Sequence, residues 1–299
     1  MGDPLGEAGL RRHRHGPGGR GPDGKRLPDG MPDQGHHQKF LDIAQGVKQA
    51  WPYHAVAAVV RGHSLLRAQP EVDPERVGLT GISWGGYLTC MVAGLDDRFR
   101  LAVPVYGCGF LAENSAWLPL FKNKLSPQHR KLWVATFAPS VYLPQAAMPM
   151  LWVNGTNDHF YPLDSYQRSY RLPRGPRTLC ITVRMPHGHQ AGWRPVEIGL
   201  FADHYLRDGK PLATLGPMQV KGDTVTATFD AAVPIAKAGL HYTTDTGVWE
   251  HRKWRTQPAG LDGRTIRAAL PTARPLVFFL TLTDRRGATV STEHVERRR

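Results

Sequence analysis

The stretch Val77-Gly78-Leu79-Thr80-Gly81-Ile82-Ser83-Trp84-Gly85-Gly86-Tyr87-Leu88 decides how this chain is read. Val77 and Leu79 lie in a short apolar, β-prone run, Gly81-x-Ser83-x-Gly85 follows, and residues 87–95 read as a buried helix. The pattern is strand, sharp turn, helix, as in an α/β protein. A serine at such a turn has its hydroxyl held above the sheet. The flanking glycines let the strand and helix backbones approach without a clashing side chain. The Trp84 amide, beside that serine and at a helix N-terminus, points where negative charge would develop on a carbonyl oxygen. Ser83 is therefore the candidate nucleophile and Trp84 a candidate oxyanion donor.

A nucleophilic serine needs a base, and the base needs an orienting carboxylate. Downstream they occur in the order Ser, Asp, His. Met148-Pro149-Met150-Leu151-Trp152-Val153-Asn154-Gly155 reads as a buried strand, with Asp158 in the loop beyond its carboxyl end. Asp164 competes, but it stands where a helix should begin and reads as an N-cap. A third strand, residues 179–184, runs into Met185-Pro186-His187-Gly188-His189-Gln190, followed by a helix with Val196, Ile198, Phe201 and Tyr205 on its apolar side. One of this histidine pair is the expected general base. The Gly188-His189 step and the distance from the strand tilt the choice to His189, with His187 as a neighbouring pocket residue. No carboxylate or cysteine stands at ligand spacing beside the pair, so no metal is expected, and no organic cofactor is implied.

The segments 81–87 (Gly-Ile-Ser-Trp-Gly-Gly-Tyr), 96–99 (Asp-Asp-Arg-Phe), 104–110 (Pro-Val-Tyr-Gly-Cys-Gly-Phe), 152–160 (Trp-Val-Asn-Gly-Thr-Asn-Asp-His-Phe) and 185–189 (Met-Pro-His-Gly-His) together resemble the α/β-hydrolases grouped with acetyl xylan esterases and prolyl-oligopeptidase-type serine hydrolases. The resemblance covers roughly residues 27–210. It implies ester or peptide hydrolysis through an acyl-enzyme. The expected reaction is cleavage of a short-chain carboxylic ester, such as an acetyl group on a carbohydrate. A prolyl-oligopeptidase-type peptidase is the alternative. A catalytically impaired carbohydrate-binding protein, recognising glycan through Trp249 and Trp254, is the non-enzyme rival.

Such a hydrolase should carry several strands before its nucleophile, and residues 1–35 leave little room for them. Residues 1–30 are rich in Gly, Pro, Arg and His without periodicity and read as a disordered tail. A sharper expectation is that roughly the first twenty residues derive from a frameshifted or misassigned start, with the upstream half of the sheet, and the loop bearing a second oxyanion donor, missing.

The formal net charge of +13 would ordinarily raise nucleic acid or an anionic membrane as partner. Its distribution argues against both. Arg11, Arg12, Arg14, Arg20, Lys25 and Arg26 crowd the first segment, Arg297, Arg298 and Arg299 end the chain, and no basic stripe interleaved with aromatics appears. No apolar run is long enough to span a membrane, and the first residues lack the apolar core of a signal peptide. Cys90, Cys108 and Cys180 fall in apolar contexts without paired spacing, which reads as buried free thiols and fits a reducing compartment.

The catalytic domain is expected over residues 36–212. Phe40, Ile43, Val47 and Ala50 recur at helical spacing, Trp51-Pro52 interrupts, and a helix resumes over 55–66. Residues 111–147, with Trp117, Leu118, Leu120, Phe121, Trp133, Phe137 and Tyr142, read as a cap lining an acyl or alcohol pocket. Tyr106, Trp117 and Trp84 are the pocket aromatics of choice. Past residue 209 the texture changes to short alternating strands at 224–229, 241–244, 265–270 and 277–282, predicting a small β-sandwich of immunoglobulin or fibronectin-III type over residues 217–299.

Overall fold

The computed structural model describes residues 19, 23, 25–32, 34, 35 and 37–298. Most of the segment expected to be irregular or frameshift-derived lies outside the described residues. Helix α1 (Gln38–Leu41) and two 3-10 turns lead into α2 (Trp51–Arg67). Pro52 does not interrupt the helix. It occupies the first turn of α2, where its missing N–H has no helical partner to lose.

Strand β1 (Gly78–Ile82), helix α3 (Trp84–Ala93) and β2 (Leu101–Val105) form the expected strand, turn and helix. Helix α3 begins three residues earlier than the apolar run suggested, because Gly85 and Gly86 sit inside its first turn. Three helices follow, α4 (Leu118–Asn123), α5 (Pro127–Phe137) and α6 (Pro139–Tyr142), then β3 (Met150–Gly155), α7 (Leu163–Tyr170), β4 (Arg177–Thr182), α8 (His189–Gly192) and α9 (Val196–Arg207). The four strands are parallel in the order β1-β2-β3-β4. Strands β2 and β3 are buried at every position, which explains their almost unbroken apolar sequences. Because all four strands run the same way, their carboxyl ends lie along one edge, where Ser83 and the loops after β3 and β4 meet.

The segment read as a cap is largely core. Trp133 and Phe121 are buried with Phe40 in a ring cluster, with centroids 5.1 Å (Phe40–Trp133), 5.2 Å (Phe40–Phe121) and 5.0 Å (Phe121–Trp133) apart. Its aromatic content serves packing between α5, α1 and α3, and Trp117 is the member that reaches the candidate site.

The C-terminal part is β-rich, as expected: β5 (Thr214–Leu215), β6 (Gln219–Lys221), β7 (Thr224–Asp230), β8 (Ile235–Thr243), β9 (Arg255–Asp262), β10 (Thr265–Ala269), β11 (Leu276–Asp284), β12 (Thr289–Ser291) and β13 (Val295–Arg297). These strands are joined in one continuous antiparallel network, in the order β12-β11-β8-β9-β10-β7-β5, with β13 on β11 and β6 on β7. The network begins before residue 217, since Thr214 pairs with Asp230. Strand β9 escapes the sequence pattern because Pro258 and Gly260 interrupt it. Pro258 faces Gly239 of β8, and pairing with β10 begins only at Gly260.

The β-rich part covers the β4 edge of the parallel sheet. The Ile181 N–H donates to Ser291 Oγ (3.1 Å), the Gln167 side chain donates to the His294 carbonyl (2.8 Å), and Glu293 pairs with Arg171 and Arg177. A strand edge that would otherwise present unpaired amides is thereby closed. Trp249 and Trp254 are both buried, so neither offers the open stacking face expected of a glycan platform.

Candidate active site

The turn at Ser83 is held by close backbone packing. Ser83 has φ +59°, a strained value for a residue with a side chain, and its N–H donates to the Val105 carbonyl (2.9 Å). A Cβ on Gly81 would lie 2.4 Å from the Gly85 carbonyl, and one on Gly86 would lie 2.4 Å from the Val105 carbonyl. A Cβ on Gly85 would meet open space. The close approach thus depends on Gly81 and Gly86. Trp84 is the first residue of α3, so its amide has no acceptor within the helix.

The loop after β3 carries Asp158, whose side chain is fully buried. Its Oδ1 accepts from the Phe160 N–H (2.8 Å) and the Tyr161 N–H (2.9 Å), leaving Oδ2 free to accept from His187 Nδ1 (2.8 Å). His187 Nε2 stands 2.8 Å from Ser83 Oγ. The histidine side chain is 16% exposed, so solvent can reach one side of an otherwise dry relay.

His187, not His189, makes these contacts, against the tilt of the sequence reading. The β4–α8 loop turns at Arg184 (φ +53°), whose N–H donates to Thr156 Oγ1 (2.9 Å). The Tyr106 hydroxyl donates to the Pro186 carbonyl (2.7 Å), which pins the residue just before His187. The His187 and Tyr106 rings lie 4.3 Å apart. His189, two residues on, starts α8 and is exposed. Gly192, on the same short helix, packs against Ile82 and Tyr106.

Tyr106 therefore does not line a pocket. It is fully buried beneath the histidine loop, and burial pushes its hydroxyl pKa up to about 12, so it stays a hydrogen-bond donor. Asp164 is neither the orienting acid nor an N-cap: it lies in the first turn of α7, and both its oxygens accept from Asn114 Nδ2 (3.0 and 2.8 Å). Trp117 stands in an aromatic wall, its ring 4.9 Å from Trp84, 5.4 Å from Phe160 and 5.3 Å from Tyr161.

Three participants were not legible from sequence. Phe160 and Tyr161 flank His187, with ring centroids 4.7 and 6.0 Å away. Asn157 Nδ2 donates to the carbonyls of Trp249 (3.1 Å), Glu250 (2.8 Å) and Arg252 (2.8 Å), tying the aspartate loop to the β-rich part. A cleft of about 670 Å³ opens beside His187, lined by Phe160, Met185 and Pro186 on one side and by Glu250, Arg252 and Lys253 on the other. His159 Nδ1 and Glu250 Oε2 meet across it at 2.7 Å. The arrangement can withdraw a proton from Ser83 through Nε2 while Asp158 holds the ring and balances the imidazolium. Among the described residues no group of three or more His, Cys, Asp or Glu side chains could hold a metal ion, and no helix is long and apolar enough to cross a membrane.

Comparison with known proteins places the site in context. The model of the prolyl oligopeptidase family matches residues 27–190. The uncharacterized peptidase YuxL of Bacillus subtilis (strain 168) is 24% identical over 165 residues, which are 51% of this chain and 24% of that protein. The chain thus spans about a quarter of the length of that curated relative. Among solved structures, acetyl xylan esterase 1 from Thermoanaerobacterium sp. JW/SL YS485 aligns at 17% identity over 54% of this chain and 57% of its own, with TM-score 0.45. The acylaminoacyl peptidase of Pyrococcus horikoshii aligns at 19% identity over 57% of this chain and 29% of its own, with TM-score 0.42.

Proposed function

The chain belongs to the prolyl oligopeptidase family of α/β-hydrolases, and on that footing we propose that it cleaves carboxylic esters of small acyl groups through an acyl-enzyme on Ser83. The observation that carries this reading is the unbroken relay from Ser83 Oγ to His187 Nε2 and from His187 Nδ1 to Asp158 Oδ2, each step 2.8 Å. His187 takes the Ser83 proton as Oγ attacks the carbonyl carbon. The oxygen that becomes negative is met by the Trp84 amide. Collapse of the tetrahedral intermediate expels the alcohol, protonated by His187, and leaves the acyl group on Oγ. Water, deprotonated by the same nitrogen, then releases the acid.

The shape of the surroundings supports a small acyl group and a larger leaving group. Trp117, Phe160 and Tyr161 pack together on one side, and the cleft of about 670 Å³ beside His187 is bounded by the β-rich part on the other and is the room available to a leaving group. A peptide amide is the second reading, favoured by the peptidase relative and the family match. An acetylated carbohydrate is the ester substrate first in line.

A fluorophosphonate probe tests the assembly of serine, base and oxyanion site together. The parent should label and Ser83→Ala should not. Hydrolysis of p-nitrophenyl acetate should exceed that of the octanoate and of aminoacyl p-nitroanilides. Equal labelling of parent and Ser83→Ala, or no labelling of a folded parent, refutes the reading; anilide turnover above acetate turnover moves it to the peptidase.

A further inference from the structure

We propose that the cleft beside His187 receives a leaving group that carries a carboxylate, bound by Arg252 with Arg184 and Lys253 nearby, an inference that rests on Ser83 being the nucleophile. His187 Nε2, 2.8 Å from Ser83 Oγ, is the nitrogen that must return a proton to the departing oxygen. The departing half of the substrate therefore lies on the histidine side of the serine. That side is the cleft of about 670 Å³, whose lining holds the cations Arg184, Arg252 and Lys253 and the carboxylate of Glu250. Glu250 is already engaged by His159 at 2.7 Å. Arg184 and Lys253 are exposed, and neither side chain has an ion-pair partner among the described residues.

Arg252 is the fixed member of the set. Its guanidinium lies 3.7 Å over the Trp249 ring, and its Nε and Nη2 donate to the Gly247 carbonyl (3.3 and 2.9 Å). Nη1 has no acceptor among the described residues and keeps two N–H groups to offer. The loop that carries Arg252 is fastened as well. The Lys253 N–H donates to Asp245 Oδ2 (2.6 Å), and Asn157, next to Asp158 in the chain, donates to the Trp249, Glu250 and Arg252 carbonyls. The cation is thus held in register with the relay before substrate arrives, and little ordering remains to be done on binding. Arg252 is half-buried, and burial lowers its pKa from the ordinary value. Glu296, Asp164 and Asp245 act on it through space, but no carboxylate of the described residues is within ion-pair distance. A partly desolvated cation without a contacting counter-charge is costly, and the Trp249 face offsets only part of that cost. Three cations lining one cleft also repel one another. A carboxylate on the leaving group relieves both, which an uncharged alcohol cannot do.

The probe pair is 4-acetoxybenzoate and its methyl ester, which differ by one charge on the leaving group. For the full chain, kcat/KM should favour the carboxylate by about tenfold at low salt, and the preference should shrink as sodium chloride screens the cleft. Arg252→Gln should lower that ratio by about tenfold, chiefly through KM. The double variant Arg184→Gln/Lys253→Gln changes only exposed side chains and should lower it by about threefold; it decides the matter if Arg252→Gln fails to fold. Arg264→Gln, a cation of the β-rich part outside the cleft and paired with Asp230, should keep the parent ratio. Of O-acetyl-lactate and N-acetylalanine, the one cleaved faster tells a hydroxy acid from an amino acid as the source of the carboxylate, and a fall of that rate in Arg252→Gln supports the inference in either case. A parent that cleaves the methyl ester as fast as the free acid, or folded variants with an unaltered ratio, overturn the inference; Ser83-dependent turnover of the methyl ester then leaves the hydrolase reading standing. A parent that cleaves neither ester brings down both.

Discussion

Replacing Asp158 by asparagine separates the two tasks of its carboxylate. Oδ1 holds the loop through the Phe160 and Tyr161 amides at 2.8 and 2.9 Å, and Oδ2 accepts from His187 Nδ1 at 2.8 Å. Asparagine can keep its carbonyl oxygen toward the two amides, so the loop stays in place. Its NH2 then faces His187, whose Nδ1 must offer a lone pair, and the ring proton moves to Nε2. From there the ring donates to Ser83 Oγ and cannot accept its proton. The general base is lost without loss of shape, which by the logic of a triad carboxylate is a fall of about 10⁴ in kcat, or roughly 5.5 kcal/mol of transition-state stabilisation. The cost in stability is far smaller. Two charge-assisted bonds become neutral ones, on the order of 1 kcal/mol and a shift of a few degrees in Tm for a chain of this size. The assay is p-nitrophenyl acetate hydrolysis beside differential scanning calorimetry, with Asp164→Asn as control, since Asp164 is bound to Asn114 and takes no part in the relay. A loss of less than tenfold in folded Asp158→Asn, or an equal loss in Asp164→Asn, would falsify the assignment.

The histidine pair gives a second contrast: His187→Ala should lower kcat by about a thousandfold or more, and His189→Ala by less than about threefold, measured on the same ester. Glycine substitutions should divide sharply. Gly81→Ala and Gly86→Ala force a Cβ to 2.4 Å from backbone and should yield insoluble or unfolded protein, whereas Gly85→Ala, which meets nothing, should fold with an unchanged or higher Tm. Asn157→Ala leaves three carbonyls of the β-rich part without their shared donor and should cost about 1–3 kcal/mol in denaturant unfolding; an unchanged midpoint would show that the clamp adds nothing. Burial holds the pKa of His294 down to about 3 and of His241 down to about 4, from an unfolded value near 6.5. Both rings are neutral in the fold and take up protons on unfolding, so the stability they contribute is present above pH ~6.5 and declines as pH falls toward those values. Tm should therefore drop steadily from pH 7 to pH 4, and His294→Phe should flatten the slope; a slope unaltered by that change assigns the acid sensitivity elsewhere.

The local features of the site were legible in the chain because each depends on neighbours in sequence. Gly81-x-Ser83-x-Gly85 between a β-prone run and an apolar helix specifies a tight strand-to-helix turn, and Asp158 follows its strand directly. The choice between His187 and His189 was not legible, because it is made by the Tyr106 hydroxyl, 80 residues away, bonding the Pro186 carbonyl. Nor was the place of Trp133 and Phe121, since an aromatic run reads alike whether it lines a cavity or fills a core. Phe160 and Tyr161 carried no signal either, because their place beside His187 is set by how two loops remote in the chain meet.

By itself, then, the sequence determined the strand, turn and helix around Ser83, the strands ahead of Asp158 and the histidine pair, and the candidates for the relay, all set by backbone preference and apolar periodicity over a few residues. Tertiary structure alone decided which histidine faces Ser83, which glycines tolerate no side chain, and how Asn157 ties the aspartate loop to the β-rich part. Those outcomes rest on contacts between segments remote in the chain, where a difference of two residues or one hydroxyl selects the geometry and no short-range preference records it.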